Sequence, residues 1–543
     1  MEKKLLAENA VYQIYPSSFK DSNGDGRGDI RGIISKLDYL QSLGIKLVWL
    51  SPIYASPLFD MGYDISDYYK INPLYGTMDD FDELLREAKK RDMKIIMDLV
   101  VNHTSDKCKW FEEAIKNPSS PYRDYYIFKE GKNNKAPNNW TSTFLGSAWE
   151  KVPNEENTYY LHIFDKKQPD LNWHNPHVYE EVKNIMNFWL DKGVYGFRCD
   201  VISIIYKESF EDGGKSRIGA PIGSEHYVAT PGCHQILKRL RKDTVDLHNG
   251  ILIGECFGST LADCKDFIDN GELDTFFQFD LANLDSALIN PRVNTKKFVQ
   301  GIKDWQNKVD WNGNYLENHD QRRSVGRYCT YKDSVVGSKM LLTLVYTLRG
   351  TPFIYQGEEL GARDYPALLP IDDSRDCVTK YIYKMATSYH MPKKMALKIA
   401  MTKGRDNERA PMAFSSKEGY GFSDPLIKPW MPYNPTCKTL NVENEEKDED
   451  STLHFFRKIN QLRTVSPSLC YGTIKFMESQ KDVLIFIREY EKEKTLVILN
   501  MTSKKRVIPN YDSYEGKELL LANYHDSYSD KLRPYEALVY RIK

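Results

Sequence analysis

The sequence has no CxxC pair, no long apolar run and almost no net charge. Its nine cysteines are scattered and odd in number, which excludes a disulfide scaffold and a zinc-ribbon module and favours free thiols. The longest strongly apolar stretch, residues 340–348, is about half of a membrane span. The apolar run at residues 5–7 is too short for the core of a signal peptide. We therefore expect a cytoplasmic protein that does not contact a membrane.

The charges are balanced, with 75 Lys and Arg against 76 Asp and Glu. A net charge of −1 supplies no global field that would hold DNA or RNA, so we expect no nucleic-acid partner. Hydrophobic residues make up 41% of the chain, which is ordinary for a globular protein with a core. Aromatic residues make up 13%, with 36 Tyr, and this fits either a large core or a cleft that binds sugars.

Apolar strand segments alternate with amphipathic helical segments along most of the chain. The predicted strands are residues 11–15, 46–50, 94–101, 196–201, 251–254, 274–279, 313–316 and 352–355. The predicted helices between them are residues 30–43, 80–91, 178–190, 232–247, 295–307 and 334–349. This alternation implies parallel pairing, and eight strands close a (β/α)8 TIM barrel. The alternative is an open, doubly wound sheet, and the count of eight favours the barrel.

One long interruption and one change of character suggest further domains. Residues 102–173 are too many for an ordinary loop, so we expect an inserted subdomain. Towards the end of the chain, residues 472–477, 483–489, 495–501 and 537–542 look like strands without helices between them. The predicted domains are a barrel over 1–103 and 173–470, an inserted subdomain B over 104–172, and an antiparallel β domain over 471–543.

Polar side chains follow four of the predicted barrel strands at the point where each strand ends. They are His103, Arg198, Asp200, Glu255, His319 and Asp320. Because barrel enzymes place their chemistry at the carboxyl ends of the strands, these side chains are expected at one rim. Paired carboxylates at such a rim suit glycoside hydrolysis, with one carboxylate as nucleophile and the other as acid/base.

Rival chemistries find less support. The sequence has no G-x-S-x-G elbow and no Walker A motif. A metal hydrolase could use His103 and His319 with the carboxylates, but no H-x-x-x-H spacing supports it.

Eight short motifs, in order and at characteristic spacing, resemble those of the α-amylase superfamily, glycoside hydrolase family 13. More narrowly, they resemble its oligo-1,6-glucosidase and α-glucosidase branch. The motifs are VYQIYP at 11–16, DMGYD at 60–64, DLVVNH at 98–103, QPDLN at 168–172, GFRCDV at 196–201, GE at 254–255, NHD at 318–320 and YQGEE at 355–359. The matches run along nearly the whole chain and imply a retaining hydrolase that needs no cofactor for catalysis.

The resemblance implies a catalytic role for each of three carboxylates. Asp200 matches the nucleophile that forms a covalent glucosyl-enzyme, and Glu255 matches the acid/base. Asp320 matches the third carboxylate, which binds sugar hydroxyls and favours the transition state. Arg198, two residues before Asp200 on the same strand, points to the same side and can keep that carboxylate ionised.

Further positions imply contacts with the substrate. The implied sugar-binding residues are Asp60, Tyr63, His103, Phe144, Phe164, Gln168, Arg198, His319 and Arg409. Asp60 and Arg409 match the pair that grips the terminal glucose, with Arg405 as the second choice for the arginine. Tyr63 matches a ring that stacks on this glucose, and the two histidines match residues that bind its hydroxyls. The two phenylalanines match aromatic walls of the pocket, and their alternative role is plain core packing.

Val201 carries the signal for linkage preference. A Val after the nucleophile resembles the α-1,6-acting members of the branch, as does the QPDLN motif at 168–172. A β-branched residue on a barrel strand is also simply good packing. We therefore predict an exo-acting retaining α-glucosidase that removes terminal α-1,6-linked glucose from small oligosaccharides. The alternatives are a sucrose isomerase or transglucosidase, or an α-glucosidase for sucrose, isomaltulose or trehalose 6-phosphate.

Four positions depart from the family pattern. Ala413 and Phe414 stand where relatives usually have Gln and Trp, Arg322 replaces a Pro, and Leu145 replaces a Gly beside a predicted pocket wall. We expect these changes to alter the site that holds the leaving group. The oligomeric state is expected to be a monomer or a homodimer.

Residues 21–29 have the spacing of a cation loop. Oxygen ligands fall at Asp21, Asn23, Asp25 and Asp29, with the backbone carbonyl of Arg27 between them. The Glu that an EF-hand requires three residues after Asp29 is replaced by Gly, so the match is to a different loop. Related glucosidases carry a structural metal here, which implies Ca²⁺ or Mg²⁺. The alternative is a polar turn that caps the following helix.

Overall fold

A computed structural model describes residues 2–133, 135–214, 221–284, 293–509, 511, 514, 516–526 and 529–543 of the protein. The chain divides into two compact units. The terminal unit comprises Met1–Trp49, Arg86–Lys94 and Asp280–Lys543, and the central unit comprises Leu50–Leu85 and Ile95–Phe279.

Eight parallel strands form one sheet, as the alternating pattern predicted. In chain order they are β1 (Val11–Ile14), β2 (Leu47–Leu50), β3 (Lys94–Leu99), β4 (Gly196–Cys199), β5 (Ile251–Glu255), β6 (Thr275–Phe277), β7 (Asn312–Asn314) and β8 (Gly350–Tyr355). Their order in the sheet is β6-β5-β4-β3-β2-β1-β8-β7. The last strand of the series thus pairs with the first, with Val11 opposite Phe353. The predicted TIM barrel is confirmed and the open sheet is wrong.

Helices follow the strands, and their ends are set by local capping groups. The helices between the barrel strands are Ile30–Ile34, Leu37–Ser42, Met78–Lys90, Pro176–Lys192, Pro231–Asp243, Leu261–Asp269, Thr295–Lys308 and Ser334–Thr347. The longest begins where the Asn175 side chain accepts from the His177 N–H, and it ends at Gly193, whose φ is 108°. Both features are the expected start and stop of a helix.

The single helix predicted over residues 30–43 is broken in two. Ser35 Oγ donates to the Gly32 carbonyl oxygen at 2.7 Å, and Lys36 leaves the helical region at φ −115° and ψ 8°. A serine hydroxyl that bonds the preceding turn competes with the helical pattern, which hydrophobic periodicity does not register.

The central unit contains the segment predicted as subdomain B. A helix at Lys109–Lys116 precedes a three-stranded antiparallel sheet of Phe128–Glu130, Trp149–Lys151 and Thr158–Leu161. Trp140 and Trp149 anchor its buried apolar cluster. The same unit holds a two-stranded pair, Tyr54–Ala55 with Asp67–Ile71.

The terminal unit ends in a five-stranded antiparallel sheet. Its strands are β9 (Thr473–Phe476), β10 (Val483–Tyr490), β11 (Glu493–Asn500), β12 (Glu518–Ala522) and β13 (Ala537–Ile542), in the order β9-β10-β11-β13-β12. Four of the five were predicted. The strand β12 was missed because its apolar residues, Leu519 to Leu521, are consecutive rather than alternating.

The stretch between β8 and residue 441 is less irregular than the sequence suggested. It carries the helices Cys377–Ser388 and Lys393–Lys403, and the helices Val442–Lys447, Thr452–Val465 and Pro467–Tyr471 follow. Short helices also occur at Glu2–Glu8, Pro16–Phe19 and Ser324–Tyr328. Across the described residues, every helix is too short or too polar to cross a bilayer.

Candidate active site

Strand register in the central unit gathers charged residues at one edge of the sheet. Arg198 of β4 lies opposite Asp98 of β3 and opposite Ile253 of β5. Asp200 follows Arg198 by two residues, and Glu255 is the last residue of β5. Since alternate strand residues share a face and parallel strands end at the same edge, these four charged groups meet.

Arg198 holds three carboxylates with one guanidinium. Its side chain is 1% exposed, and Nη1 lies 2.8 Å from Asp98 Oδ1 and 2.7 Å from Asp200 Oδ1. Nη2 lies 2.7 Å from Glu255 Oε2. If all three acids were ionised, one positive charge would face three negative charges in a buried site. The cluster therefore favours retention of a proton near neutral pH.

Burial raises the pKa of both Asp98 and Asp200, although Arg198 opposes both shifts. A hydrogen bond with the Glu255 side chain lowers the pKa of Asp200. Retaining glycoside hydrolysis requires one protonated and one ionised carboxyl group close together, and a cluster that retains one proton can meet this requirement.

Val201 places a backbone donor on the same acid. Its N–H donates to Glu255 Oε2 at 3.0 Å. Val201 adopts a left-handed backbone, with φ 36° and ψ 37°, which costs a β-branched residue roughly 1–3 kcal/mol. Its side chain packs in a buried apolar cluster that includes Phe164 and Ile204. Packing therefore holds a strained turn that orients Glu255.

Four predicted sugar-binding residues of the central unit are joined by hydrogen bonds. Gln168 Nε2 lies 3.2 Å from Asp60 Oδ2, 3.1 Å from the Tyr63 carbonyl oxygen and 3.2 Å from His103 Nε2. The Tyr63 hydroxyl donates to Asp98 Oδ2 at 3.0 Å. This group is therefore tied to the charged cluster through Asp98.

His103 is 1% exposed, and burial lowers its pKa. A neutral imidazole has one donor and one acceptor nitrogen, which suits contact with sugar hydroxyls. His103 is linked through Asn102 to a buried ion pair. Lys207 Nζ lies 2.6 Å from Asp170 Oδ2 and donates to Asn102 Oδ1 at 2.7 Å. Asn102 Nδ2 in turn donates to Asp170 Oδ2 at 3.1 Å and lies 3.2 Å from His103 Nδ1.

The two predicted wall phenylalanines contact each other and the polar group. The rings of Phe144 and Phe164 are 5.6 Å apart and edge-on, and Phe164 is 5.1 Å from the His103 ring. Phe257 lies 6.2 Å from Phe164. Both predicted residues thus lie in one aromatic group beside His103.

In the terminal unit, Asp320 is surrounded by cationic groups. Its Oδ1 lies 3.2 Å from Arg405 Nη1 and 3.1 Å from Arg409 Nη2, and its Oδ2 lies 3.5 Å from His319 Nε2. Arg409 is fully buried, whereas the Asp320 side chain is 30% exposed. Both arginines considered from the sequence therefore contact the third carboxylate. Asp320 lies six residues after the end of β7. This strand ends at Asn314, earlier than the predicted residue 316.

His319 is held by groups from β1 and its surroundings. Its Nδ1 lies 2.8 Å from Gln13 Nε2, and its ring stacks on Tyr15 at 6.2 Å and meets Trp49 edge-on at 6.0 Å. Of these three contacting residues, Gln13 and Tyr15 belong to the VYQIYP motif. The motif therefore helps to position His319.

The cation loop makes a compact network of turns. Asp21 accepts from the N–H groups of Asn23, Gly24 and Gly26, and Asn23 and Asp25 accept from the N–H groups of Asp25 and Arg27. Asp29 caps the next helix by accepting from the Gly32 N–H at 2.7 Å. Over the described ranges, no three His, Cys, Asp or Glu side chains form a metal cluster. An ionised carboxylate has spare lone pairs beside such bonds, so these oxygens could still hold a hard cation.

The structure describes the surroundings of three of the four departures from the family pattern. Phe414 is buried against Phe19 and Tyr39, with ring centroids 5.7 Å from both, so it serves the core of the terminal unit. Arg322 forms an ion pair with Asp364. Leu145 has φ 76°, a conformation that a Gly adopts without strain. The expected change at the leaving-group site stays a prediction.

The sequence did not single out several residues that support these groups. In the central unit they are Asp98, Lys207 and Asp170, and in the terminal unit the residue is Asp376. An acid within an apolar strand, as in KIIMD, was a usable signal for Asp98. Asp376 caps the helix Cys377–Ser388 by accepting from the N–H groups of Val378 and Thr379, but its ion-pair partner Arg405 lies 29 residues further on.

Comparison with known proteins agrees with this geometry. The family model for alpha amylase, catalytic domain, matches residues 13–472. The oligo-1,6-glucosidase of Parageobacillus thermoglucosidasius is 42% identical over 567 residues, covering 100% of both chains. The solved trehalose-6-phosphate hydrolase of Bacillus licheniformis is 38% identical, with a TM-score of 0.92 and 99% of each chain covered. The isomaltulose synthase of Klebsiella sp. LX3 is 36% identical at a TM-score of 0.92, again covering 99% of both.

Proposed function

The chain belongs to the α-amylase catalytic-domain family and is a glycoside hydrolase, and from this premise we propose that it is an exo-acting, retaining α-glucosidase. Its proposed substrates are isomaltose-type oligosaccharides, from which it releases terminal α-1,6-linked glucose. Asp200 acts as nucleophile, Glu255 as acid/base and Asp320 as the carboxylate that supports the transition state.

The shared guanidinium of Arg198 is the observation that carries this proposal. It holds the carboxyl groups of Asp200 and Glu255 on its two terminal nitrogens, each at 2.7 Å. Retaining enzymes need their two carboxyl groups close together, whereas inverting enzymes leave room for a water between them. The Asp200 carboxylate attacks the anomeric carbon while Glu255 gives its proton to the leaving oxygen. Glu255 then takes a proton from the water that releases glucose.

The remaining predicted residues have proposed roles around the glucose. Asp60, His103 and Gln168 form the hydrogen-bonded group of the central unit, which suits a sugar with several hydroxyls. Tyr63 offers its ring, and Phe144 and Phe164 supply apolar walls. His319 and Arg409 are proposed to bind sugar hydroxyls, with Arg409 also fixing Asp320.

The preference for α-1,6 linkages rests on Val201. Its side chain is buried with Phe164, and its backbone is committed to Glu255. A small apolar side chain at this position leaves the leaving-group side without a hydroxyl donor. This supports a preference for the α-1,6 linkage, which is the linkage in the name of the oligo-1,6-glucosidase relative.

Glucosyl transfer to a sugar is the second candidate function. The similarity to the isomaltulose synthase, at a TM-score of 0.92, supports this candidate. The same Asp200 and Glu255 would serve, and only the acceptor of the glucosyl group would differ.

Three further properties complete the proposal. Residues 21–29 would hold a structural Ca²⁺ or Mg²⁺ through Asp21, Asn23, Asp25, Asp29 and the Arg27 carbonyl. The protein would act in the cytoplasm, a location that its nine free cysteines suit. It would work as a monomer or a homodimer on small oligosaccharides.

One experiment tests the activity and the alternatives together. The protein is incubated with isomaltose, maltose, panose, isomaltulose, sucrose and trehalose 6-phosphate, and the products are separated by chromatography. The proposal expects fastest release of glucose from isomaltose, initially as the α-anomer. A single dominant sucrose isomer would favour transfer, and hydrolysis restricted to trehalose 6-phosphate would reject the linkage preference.

A further inference from the structure

A cavity of 480 Å³ lies in the terminal unit, and none of the residues with proposed catalytic or sugar-binding roles lines it. One wall is the segment that follows Asp320, from Val325 to Tyr331, and another is the segment after β8, at residues 363–366. The third wall is the start of the loop after β11, at residues 501–503. A volume of this size accommodates a small organic ligand.

Tyrosine rings dominate the lining. They are Tyr328, Tyr331, Tyr365 and Tyr535. Two of the hydroxyls are already engaged, since Tyr365 donates to the Pro432 carbonyl oxygen and Tyr535 accepts from the Thr330 N–H. What these residues offer a ligand is therefore their ring surface. Tyr331 stands apart because it is 73% exposed, although most large aromatic side chains of the protein are buried.

Arg363 supplies a cationic group to the cavity. It lines the cavity, and its guanidinium carbon lies 4.9 Å from the centre of the Tyr331 ring. Its Nε is buried and finds no hydrogen-bond acceptor within the described parts of the chain. The guanidinium therefore brings N–H donors to the cavity beside an aromatic ring.

Charged groups of both signs surround the cavity. Asp364 lines it and is neutralised by Arg322, and Arg327 donates to the carbonyl oxygens of Leu316 and Ala282. The adjoining helix Ser334–Thr347 begins behind Asp333, whose carboxylate would repel a phosphate. The hydroxyls of Thr330, Thr502 and Ser503 add neutral polar groups.

We infer that this cavity is a second carbohydrate-binding site, with the Tyr331 ring against a sugar face and the Arg363 guanidinium donating to a sugar oxygen. Flat aromatic surface combined with neutral polar groups and one donor matches a neutral saccharide. The ligand class is a short α-glucan such as isomaltotriose, and this choice rests on the proposed function.

The test separates binding in the cavity from binding at the catalytic centre. Saturation-transfer NMR is recorded with isomaltotriose on the full chain carrying Asp200→Asn, with 1-deoxynojirimycin present in saturating amount. We expect isomaltotriose to bind this blocked protein. Adding Tyr331→Ala or Arg363→Met should weaken that binding about tenfold, the effect of losing one ring face or one hydrogen bond. Tyr389→Ala is the matched control, since Tyr389 is 79% exposed and lies outside the cavity.

Hydrolysis of p-nitrophenyl α-glucoside by the unmodified enzyme is measured separately and reports on the proposed function alone. Tyr331→Ala and Arg363→Met in that background should leave this hydrolysis unchanged. No binding to the blocked protein, or equal binding by all three variants, would overturn the inference while leaving the hydrolase proposal intact. Displacement of isomaltotriose by inorganic phosphate would also overturn it, because the cavity would then be an anion site.

Discussion

Asp320 and Asp376 are joined through two arginines that each contact both carboxylates. Arg405 lies 3.2 Å from Asp320 and 2.8 Å from Asp376, and Arg409 lies 3.1 Å and 3.9 Å from them. Asp376 is fully buried, whereas the Asp320 side chain is 30% exposed. Although burial opposes it, the two guanidiniums bring the pKa of Asp376 down to about 2. Asp376 thus holds the two arginines in place, and the arginines in turn hold Asp320.

Asp376→Asn should therefore weaken catalysis without touching the substrate. With one anchor lost, the arginines would shift towards Asp320, and a displacement of this kind costs up to about 100-fold in kcat/KM. The measurement is kcat and KM on isomaltose, with Asp372→Asn as an exposed control on the same segment. An unchanged kcat/KM, with the variant folded by circular dichroism, would contradict this positioning role.

Asp98 should set the acid side of the pH profile. Its negative charge is one cause that raises the pKa of Asp200, after burial. Asp200 must be ionised to attack, so kcat/KM should fall as the pH drops through that raised pKa. In Asp98→Asn this negative charge is absent. The acid limb of the kcat/KM profile should therefore move to lower pH, even though the maximum rate decreases. The exposed Asp79→Asn provides the control. A limb that stays in place would show that Asp98 has no electrostatic influence on the nucleophile.

Glu255→Gln should affect substrates according to their leaving groups. Isomaltose needs a proton on its departing oxygen, and general acid catalysis is worth about 10²–10⁴-fold. p-Nitrophenol leaves readily without that proton, so p-nitrophenyl α-glucoside should lose much less in the glucosylation step. Pre-steady-state release of p-nitrophenol measures this step. Equal losses on both substrates would assign Glu255 a role other than proton donor.

The buried pair Lys207–Asp170 should matter for stability. Both side chains are 1% exposed or less, so Lys207→Met leaves an unpaired buried carboxylate, a change that costs about 3–5 kcal/mol. Adding Asp170→Asn removes that charge and should recover part of the loss. The surface pair Lys192–Asp82, at 2.9 Å, is the matched control, and Lys192→Met should cost about 0–1 kcal/mol. Urea unfolding followed by fluorescence decides between these values, and equal costs at both sites would refute the distinction.

Removal of divalent cations should lower the melting temperature. If residues 21–29 hold Ca²⁺, a concentration 100 times its dissociation constant stabilises the protein by about 2.7 kcal/mol. EDTA should abolish this gain, and excess Ca²⁺ should restore it. Asp25→Ala should melt at the lower temperature with or without EDTA, because Asp25 is exposed and makes only local turn bonds. A melting temperature that EDTA leaves unchanged would establish the alternative, a polar turn that caps the next helix.

Hydrophobic periodicity predicted the barrel because each strand of β1 to β8 is a short apolar run between amphipathic helices. The same reasoning located Asp200 and Glu255, since parallel strands bring their carboxyl ends to one edge. It was insufficient where a single side chain decides the local structure, as when the hydroxyl of Ser35 breaks the predicted helix. It also missed partners that are distant in sequence, such as Asp376, and the contacts of Phe414 with Phe19 and Tyr39.

The sharing of Arg198 among three acids has a consequence for how this site can change. Each carboxylate depends on a cation whose position is set by the other two, so the four residues form one thermodynamic unit. Substitutions within such a unit are not additive, and the effect of a second change depends on which change came first. Sequence drift can therefore remodel the loops around the sugar one residue at a time. Such independent change is not open to the four clustered residues, Asp98, Arg198, Asp200 and Glu255. If a lineage loses one of them, the other three are no longer held by the same interactions.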